Sequence, residues 1–331
     1  MRRCAAVPQT ARSAVLAVLA VTFPFFALVL GGYLAVRRGM LPLQAIPGMN
    51  VFVLYFALPC LLYRFGAGLP IERLLDWSVF GVYLVCAMVM VSVTVALTLG
   101  GRIRWNDAAF GALTAAFPNS GFMGVPLLVA LLGDRAAAPV IVTIFADMVI
   151  TTSLCIALSR LDGGGAGGAR AAAGKALRGV AANPMPWAIL LGGLASASGF
   201  ELYAPLMKTI SLLADAASPV ALFTIGAVIA RSRMHAHTRT PPAEFVPLAL
   251  IKLLLHPLLI FVVGATAIRL GVPLDSFALL ALILVAALPS ASNVSLLAER
   301  YEADNGRVAM IILLSTALSF FTFSGAVALL A

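Results

Sequence analysis

Charge is what this sequence has least of. Among its 331 residues only 11% are Asp, Glu, Lys or Arg, 62% are hydrophobic, and the mean hydropathy is +1.05. A soluble domain carries about 25% charged residues, so this chain has too little to present to water. Cysteine is scarce too: Cys4, Cys60, Cys86 and Cys155 lie far apart, three of them in apolar runs. No pair has metal or redox spacing, which argues against a metal site and a disulfide framework. There is no histidine cluster, no pair of acids at catalytic spacing, no nucleophile motif and no phosphate loop. These absences argue against an enzyme and point to no cofactor. No loop is long enough to hold a nucleotide domain, which argues against an ATP-driven pump. The formal net charge is +9, but the basic residues are scattered through short loops. They read as topology determinants, not as a nucleic-acid surface.

What is present is a series of apolar runs long enough to cross a bilayer. Ten are expected: Ala14–Val36, Ile46–Phe65, Ser78–Leu99, Ala108–Leu132, Ala138–Ser159, Pro184–Phe200, Leu206–Ala230, Val246–Leu270, Phe277–Ala298 and Val308–Leu330. Arg2, Arg3 and Arg12 precede the first run as in a signal peptide. The run is nevertheless too long for an h-region and ends at Arg37-Arg38, so it reads as a retained span. The loops alternate between a side with thirteen Lys and Arg and a side with seven. The richer side, with Arg160, Arg178, Arg300 and Arg307, is expected to be cytoplasmic.

Ten residues stand out: Phe117-Pro118-Asn119-Ser120-Gly121-Phe122-Met123-Gly124-Val125-Pro126. Pro118 removes a backbone donor and clashes with the preceding turn, while Gly121 and Gly124 lower the cost of unwinding. A helix broken at this depth is tolerated only inside protein or beside a wet cavity. Span nine carries the counterpart, Pro289-Ser290-Ala291-Ser292-Asn293. Spans two and seven also match: Pro59 to Gly66 and Pro219 to Gly226 both read Pro, two residues, Leu, aromatic, two residues, Gly. Between the halves lies a linker, residues 160–183, with a glycine-rich run at 163–168. The expected organisation is a five-helix repeat over 1–159, the cytoplasmic linker, and a second five-helix repeat over 184–331. Because five is odd, the repeats are inverted. The fold class is an all-α polytopic membrane protein with two broken, crossing helices.

Charged residues within spans are functional hypotheses by default. Asp147 sits mid-span, with Thr151 four residues on and on the same face. It could bind a cation or carry a proton, or form a structural hydrogen bond to the broken helix beside it. Lys252 and His256 share a face of span eight. Lys252 suits charge balance for a substrate carboxylate or a buried acid, against snorkelling to the interface; His256 reads as structural. Lys208 and Asp215 share a face of span seven, and Lys208 reads as a snorkelling residue. His235 and His237 read as a solvated loop. Ser315, Ser319 and Thr322 form a stripe that reads as helix packing.

These motifs together resemble the auxin efflux carrier family of membrane transporters. The carriers of the likeness are Asn119 to Pro126, Asn183-Pro184, Ser218 to Ala227, Leu288-Pro289, Ala298 to Tyr301 and Leu314 to Thr316. One departure is that Pro289 is followed by Ser-Ala-Ser-Asn without glycine, which shifts the second polar group to Asn293. The resemblance implies ten spans, an inverted repeat and two crossing helices. It also implies a homodimer in the cell inner membrane that moves organic anions by an elevator-like motion. Within the family the chain looks most like the bacterial malonate transporter branch. The expected function is secondary transport of a small organic anion, with a proton or sodium as the coupling ion. A membrane sensor or scaffold is the alternative, and a channel comes third. The expected substrate groups are Asn119, Ser120, Gly121, Ser290 and Asn293 around the crossover prolines Pro118 and Pro289, with Asp147 and Lys252 in coupling or charge balance.

Overall fold

A computed structural model describes residues 9–70, 76–100, 103–161, 174, 178, 181–235 and 240–330. The glycine-rich run 163–168, Cys4, His237 and the basic residues Arg2, Arg3, Arg73, Arg102, Arg170, Lys175 and Arg239 lie outside these, as does the His235 side chain. The described chain is all helical, without a strand. Its elements are α1 (Gln9–Arg37), α2 (Ala45–Gly68), α3 (Trp77–Thr98), α4 (Trp105–Ala116), α5 (Ser120–Leu132), α6 (Asp134–Leu158), α7 (Pro184–Ser198), α8 (Ala204–His235), α9 (Pro242–Arg269), α10 (Ser276–Ala286), α11 (Asn293–Arg300) and α12 (Asn305–Leu330). Six of them, α2, α3, α6, α8, α9 and α12, are long and apolar enough to cross a membrane. Several helices reach beyond the apolar runs, and two of the helix starts are fixed by side-chain caps. Asp76 caps α3 by accepting from the Ser78 and Val79 N–H groups at 2.9 and 3.1 Å. Asn183 accepts from the Met185 N–H at 3.0 Å, Pro184 opens α7 at its first turn, and Gly199 closes it at φ +66°.

Four helices contain a π turn: Val53–Ala57 in α2, Ser120–Gly124 in α5, Asp147–Thr151 in α6 and Ile251–Leu255 in α9. Three end two residues before a proline, at Pro59, Pro126 and Pro257. A proline has no N–H and its ring crowds the carbonyl four residues back, and widening the turn relieves both conflicts. The fourth has another cause: the Thr152 hydroxyl donates to the Asp147 carbonyl at 2.8 Å.

The helices pack as two groups. In one, α1 lies along α8, and α2 lies along α7 and α8. The matched glycines sit at these contacts. A methyl group on Gly226 of α8 would overlap the Val29 carbonyl oxygen of α1, and one on Gly66 of α2 would come within 3.2 Å of the Gly192 Cα of α7. The second group contains α3, α4, α6, α9, α10 and α12. Phe110, Leu113, Met90, Leu282 and Leu284 are fully buried in it. Arg307, expected as a loop charge, is only 2% exposed. It ties three helix ends together: its Nε donates to the Glu244 carbonyl at 2.9 Å and an Nη donates to the Asp107 carbonyl at 3.2 Å. Asp215, which shares a face with Lys208 in the sequence, binds Arg64 of α2 at 2.7 Å.

Candidate functional site

Helix α4 stops at Ala116, and Phe117 turns extended at φ −90°, ψ 103°. Helix α10 stops at Ala286, three residues before Pro289. The two irregular segments meet and satisfy each other. The Asn119 N–H donates to the Pro289 carbonyl at 2.8 Å, and the Ala291 N–H donates to the Phe117 carbonyl at 2.9 Å. Pro118 and Ser290 form an isolated antiparallel bridge. The Ser290 N–H finds the Ser315 hydroxyl of α12 at 3.1 Å. Backbone groups freed by the prolines therefore have protein partners, as an apolar surrounding demands. Ser315, expected as packing, is one of those partners.

The side chains at the break are left for other work. Asn119 makes no side-chain cap bond to α5, and α11 has no side-chain cap from Ser292 before Asn293. Asn119, Gly121 and Asn293 line one small cavity together with Phe117, Met148 and Met185. Asn293 also lines an adjoining larger cavity of about 240 Å³, walled by Phe117, Met148, Thr152, Asn183, Arg300 and Tyr301. The Arg160 guanidinium lies 5.5 Å from the centroid of the Tyr301 ring that lines this cavity. Ser120 and Ser290 are fully buried beside the crossing: Ser120 donates to the Pro118 carbonyl at 3.3 Å, and the Ser290 hydroxyl has no partner.

A second polar cluster lies within the six-helix group. Asp147 is fully buried, and its carboxylate accepts from the Tyr83 hydroxyl of α3 at 2.6 Å and from the Thr151 hydroxyl at 3.0 Å. The structural alternative expected a bond to the broken helix; the bonds run instead to α3 and to its own helix. Lys252 does not snorkel. It is fully buried, donates to the Ala286 carbonyl at 2.6 Å, and lies 3.2 Å from His256 Nδ1. The Ala286 carbonyl is one of the last-turn acceptors that a helix end leaves without a partner, so Lys252 caps the half-helix that leads into the second break. His256, read as structural, belongs to this cluster, and its ring centroid is 6.1 Å from that of Tyr83. Tyr83 was missed. A phenol in the middle of an uninterrupted apolar helix was the signal that could have found it.

A family model described as a membrane transport protein matches residues 16–165 and 168–327 of the chain. A protein of Rhizobium meliloti named "Putative malonate transporter" is 30% identical over 310 residues, covering 91% of this chain and 92% of that one. The "Uncharacterized transporter YfdV" of Escherichia coli strain K12 is 29% identical over 287 residues, covering 84% of this chain and 87% of its own. The protein of that name from Shigella flexneri matches to the same extent.

Proposed function

From the premise that the chain belongs to this membrane transport family, the auxin efflux carrier family, we propose that it is a secondary active transporter of a small organic anion, malonate or a related dicarboxylate. The chain is a multi-pass membrane protein; ten crossings in two inverted five-helix repeats, a homodimer and an inner-membrane location are part of the proposal. The observation that carries it is the crossing of two irregular segments beside a cavity lined by the Asn119 and Asn293 side chains. Two half-helices, α5 and α11, begin at that crossing. Their first-turn N–H groups and positive dipole ends favour an anion. The asparagine amides add donors without the desolvation cost of a buried cation. Arg300 at the larger cavity supplies positive potential where an anion enters. The name of the Rhizobium relative favours malonate among dicarboxylates.

The packing supports an elevator-like mechanism. The crossing belongs to the six-helix group, and the group of α1, α2, α7 and α8 is the natural fixed frame against which that group slides. Purified protein in liposomes tests the function: labelled malonate should show saturable counterflow against internal malonate, in competition with related dicarboxylates. A leak without saturation would indicate a channel, and no flux at all would favour a sensor or scaffold.

A further inference from the structure

We propose that the buried cluster of Asp147, Tyr83, Lys252 and His256 is a proton-binding site whose proton crosses the membrane together with the anion. The inference rests on the carrier reading above and names its coupling ion. A carboxyl and an amine are buried completely, yet among the described residues Asp147 and Lys252 form no ion pair with each other. Buried charges without direct pairing are costly, so the cluster gains by exchanging a proton where a tight ion pair would hold it fixed. Both residues sit on π turns, local irregularities that frequently mark functional sites. With Lys252 charged, its ammonium donates to His256 Nδ1 and the imidazole proton sits on Nε2, which is buried without an acceptor, so the ring has an unsatisfied donor inside the cluster.

The titratable groups facing Asp147 come from three elements: Tyr83 from α3, Cys155 from α6 and Lys252 from α9, with Cys86 beyond Tyr83 and His256 beyond Lys252. The charge balance selects the proton over sodium. Both Asp147 oxygens already accept hydroxyl hydrogens, and the field of Lys252 opposes a second metal cation. A proton needs only one lone pair of the carboxylate. The route to the anion is short, because Met148 and Thr152, on or beside the π turn that Asp147 opens, form part of the cavity wall. With Asp147 protonated and Lys252 charged, the cluster carries a net positive charge that offsets part of the charge of the bound anion. With Asp147 ionised, the cluster is neutral and the anion-free protein can return. Lys252 also holds the Ala286 carbonyl, so the charge state of the cluster bears directly on the second break. All of these residues lie in the six-helix group and would move with the substrate.

The test uses purified full-length protein in lipid and has two readouts. Infrared titration across the neutral range should show a buried carboxylic acid band that disappears on raising the pH and is absent from Asp147→Asn. In liposomes with an alkaline interior the wild type should concentrate labelled malonate and carry a matching proton influx onto an internal dye. Asp147→Asn should lose at least ten-fold of that accumulation while keeping malonate counterflow. Tyr83→Phe, which removes a donor to the ionised carboxylate while keeping the ring, should move the pH of half-maximal accumulation upward. A carboxyl band that does not titrate overturns the proposal, as does pH-driven accumulation that survives in Asp147→Asn. An unshifted Tyr83→Phe profile counts against it even if Asp147→Asn fails to fold. The carrier reading fails separately: wild-type protein with no counterflow of any dicarboxylate sinks that reading, whatever the infrared titration shows.

Discussion

Replacing Asn119 by alanine isolates the side chain at the crossing from the backbone that builds it. The structural duties at this position are all main-chain: the N–H donates to the Pro289 carbonyl at 2.8 Å, and the carbonyl accepts from the Met123 and Gly124 N–H groups at 3.0 Å each. Alanine keeps the three bonds. The amide makes no cap bond to α5, it is 4% exposed, and it lines the cavity beside Gly121 and Asn293. If it donates to a substrate carboxylate, its removal costs about 1.5–3 kcal/mol for a hydrogen bond to a charged group. That corresponds to roughly ten- to 150-fold weaker binding. Equilibrium binding of labelled malonate to detergent-purified protein measures the change, and a thermal unfolding midpoint close to that of the wild type shows that the fold is intact. Serine, a competent cap, would restore affinity if capping were the role, but should not if the amide reaches the anion. Unchanged affinity in folded Asn119→Ala would refute the reasoning and move the anion site away from the crossing.

Four further substitutions probe the architecture. Ser315→Ala leaves the buried Ser290 N–H without its acceptor and should destabilise the protein by about 1–3 kcal/mol, read as a lowered unfolding midpoint. Gly226→Ala drives a methyl group into the Val29 carbonyl and should cost about 1–3 kcal/mol or more; Gly48→Ala in α2, where a methyl meets nothing within 4 Å, should be neutral or stabilising by up to about 1 kcal/mol. Arg64→Ala breaks an ion pair whose side chains are 29% and 66% exposed, so stability should fall by no more than about 1 kcal/mol; a larger loss would mean that the pair fixes α2 against α8.

The membrane class and the helical fold were legible because hydropathy and charge alone decide them. Pro118 and Pro289 announce where α4 and α10 end, since a residue without an N–H cannot continue the ladder. Thr151 was legible as the partner of Asp147 because both lie on one turn. Tyr83 was not: it is 64 residues away from Asp147 in sequence, and no local pattern records that α3 packs on α6. The same applies to Lys252 and the Ala286 carbonyl, 34 residues apart, and to Ser315 and Ser290, 25 apart. Arg307 misled the reading because charge near a span end normally faces water, whereas here three helix ends converge on its guanidinium. The π turns were partly readable, since three of them precede prolines, but the one at Asp147 depends on where the Thr152 hydroxyl points.

Where the two irregular segments meet, main chain and side chain divide the labour, and this division would leave the side chains free for the proposed anion site. A single broken helix in an apolar surrounding would have to spend its polar side chains on the backbone groups it has freed. Two breaks brought face to face need not, because Phe117, Asn119, Pro289 and Ala291 pair their main chains with each other. The remaining main-chain needs are met from outside the crossing, the Ser290 N–H by Ser315 and the Ala286 carbonyl by Lys252. Asn119 and Asn293 are thereby released to face the cavity. The lysine that completes the second half-helix is also the residue that shares a buried cluster with Asp147. An anion held at the crossing and a proton held at Asp147 would therefore act on the same short segment, from Ala286 to Asn293.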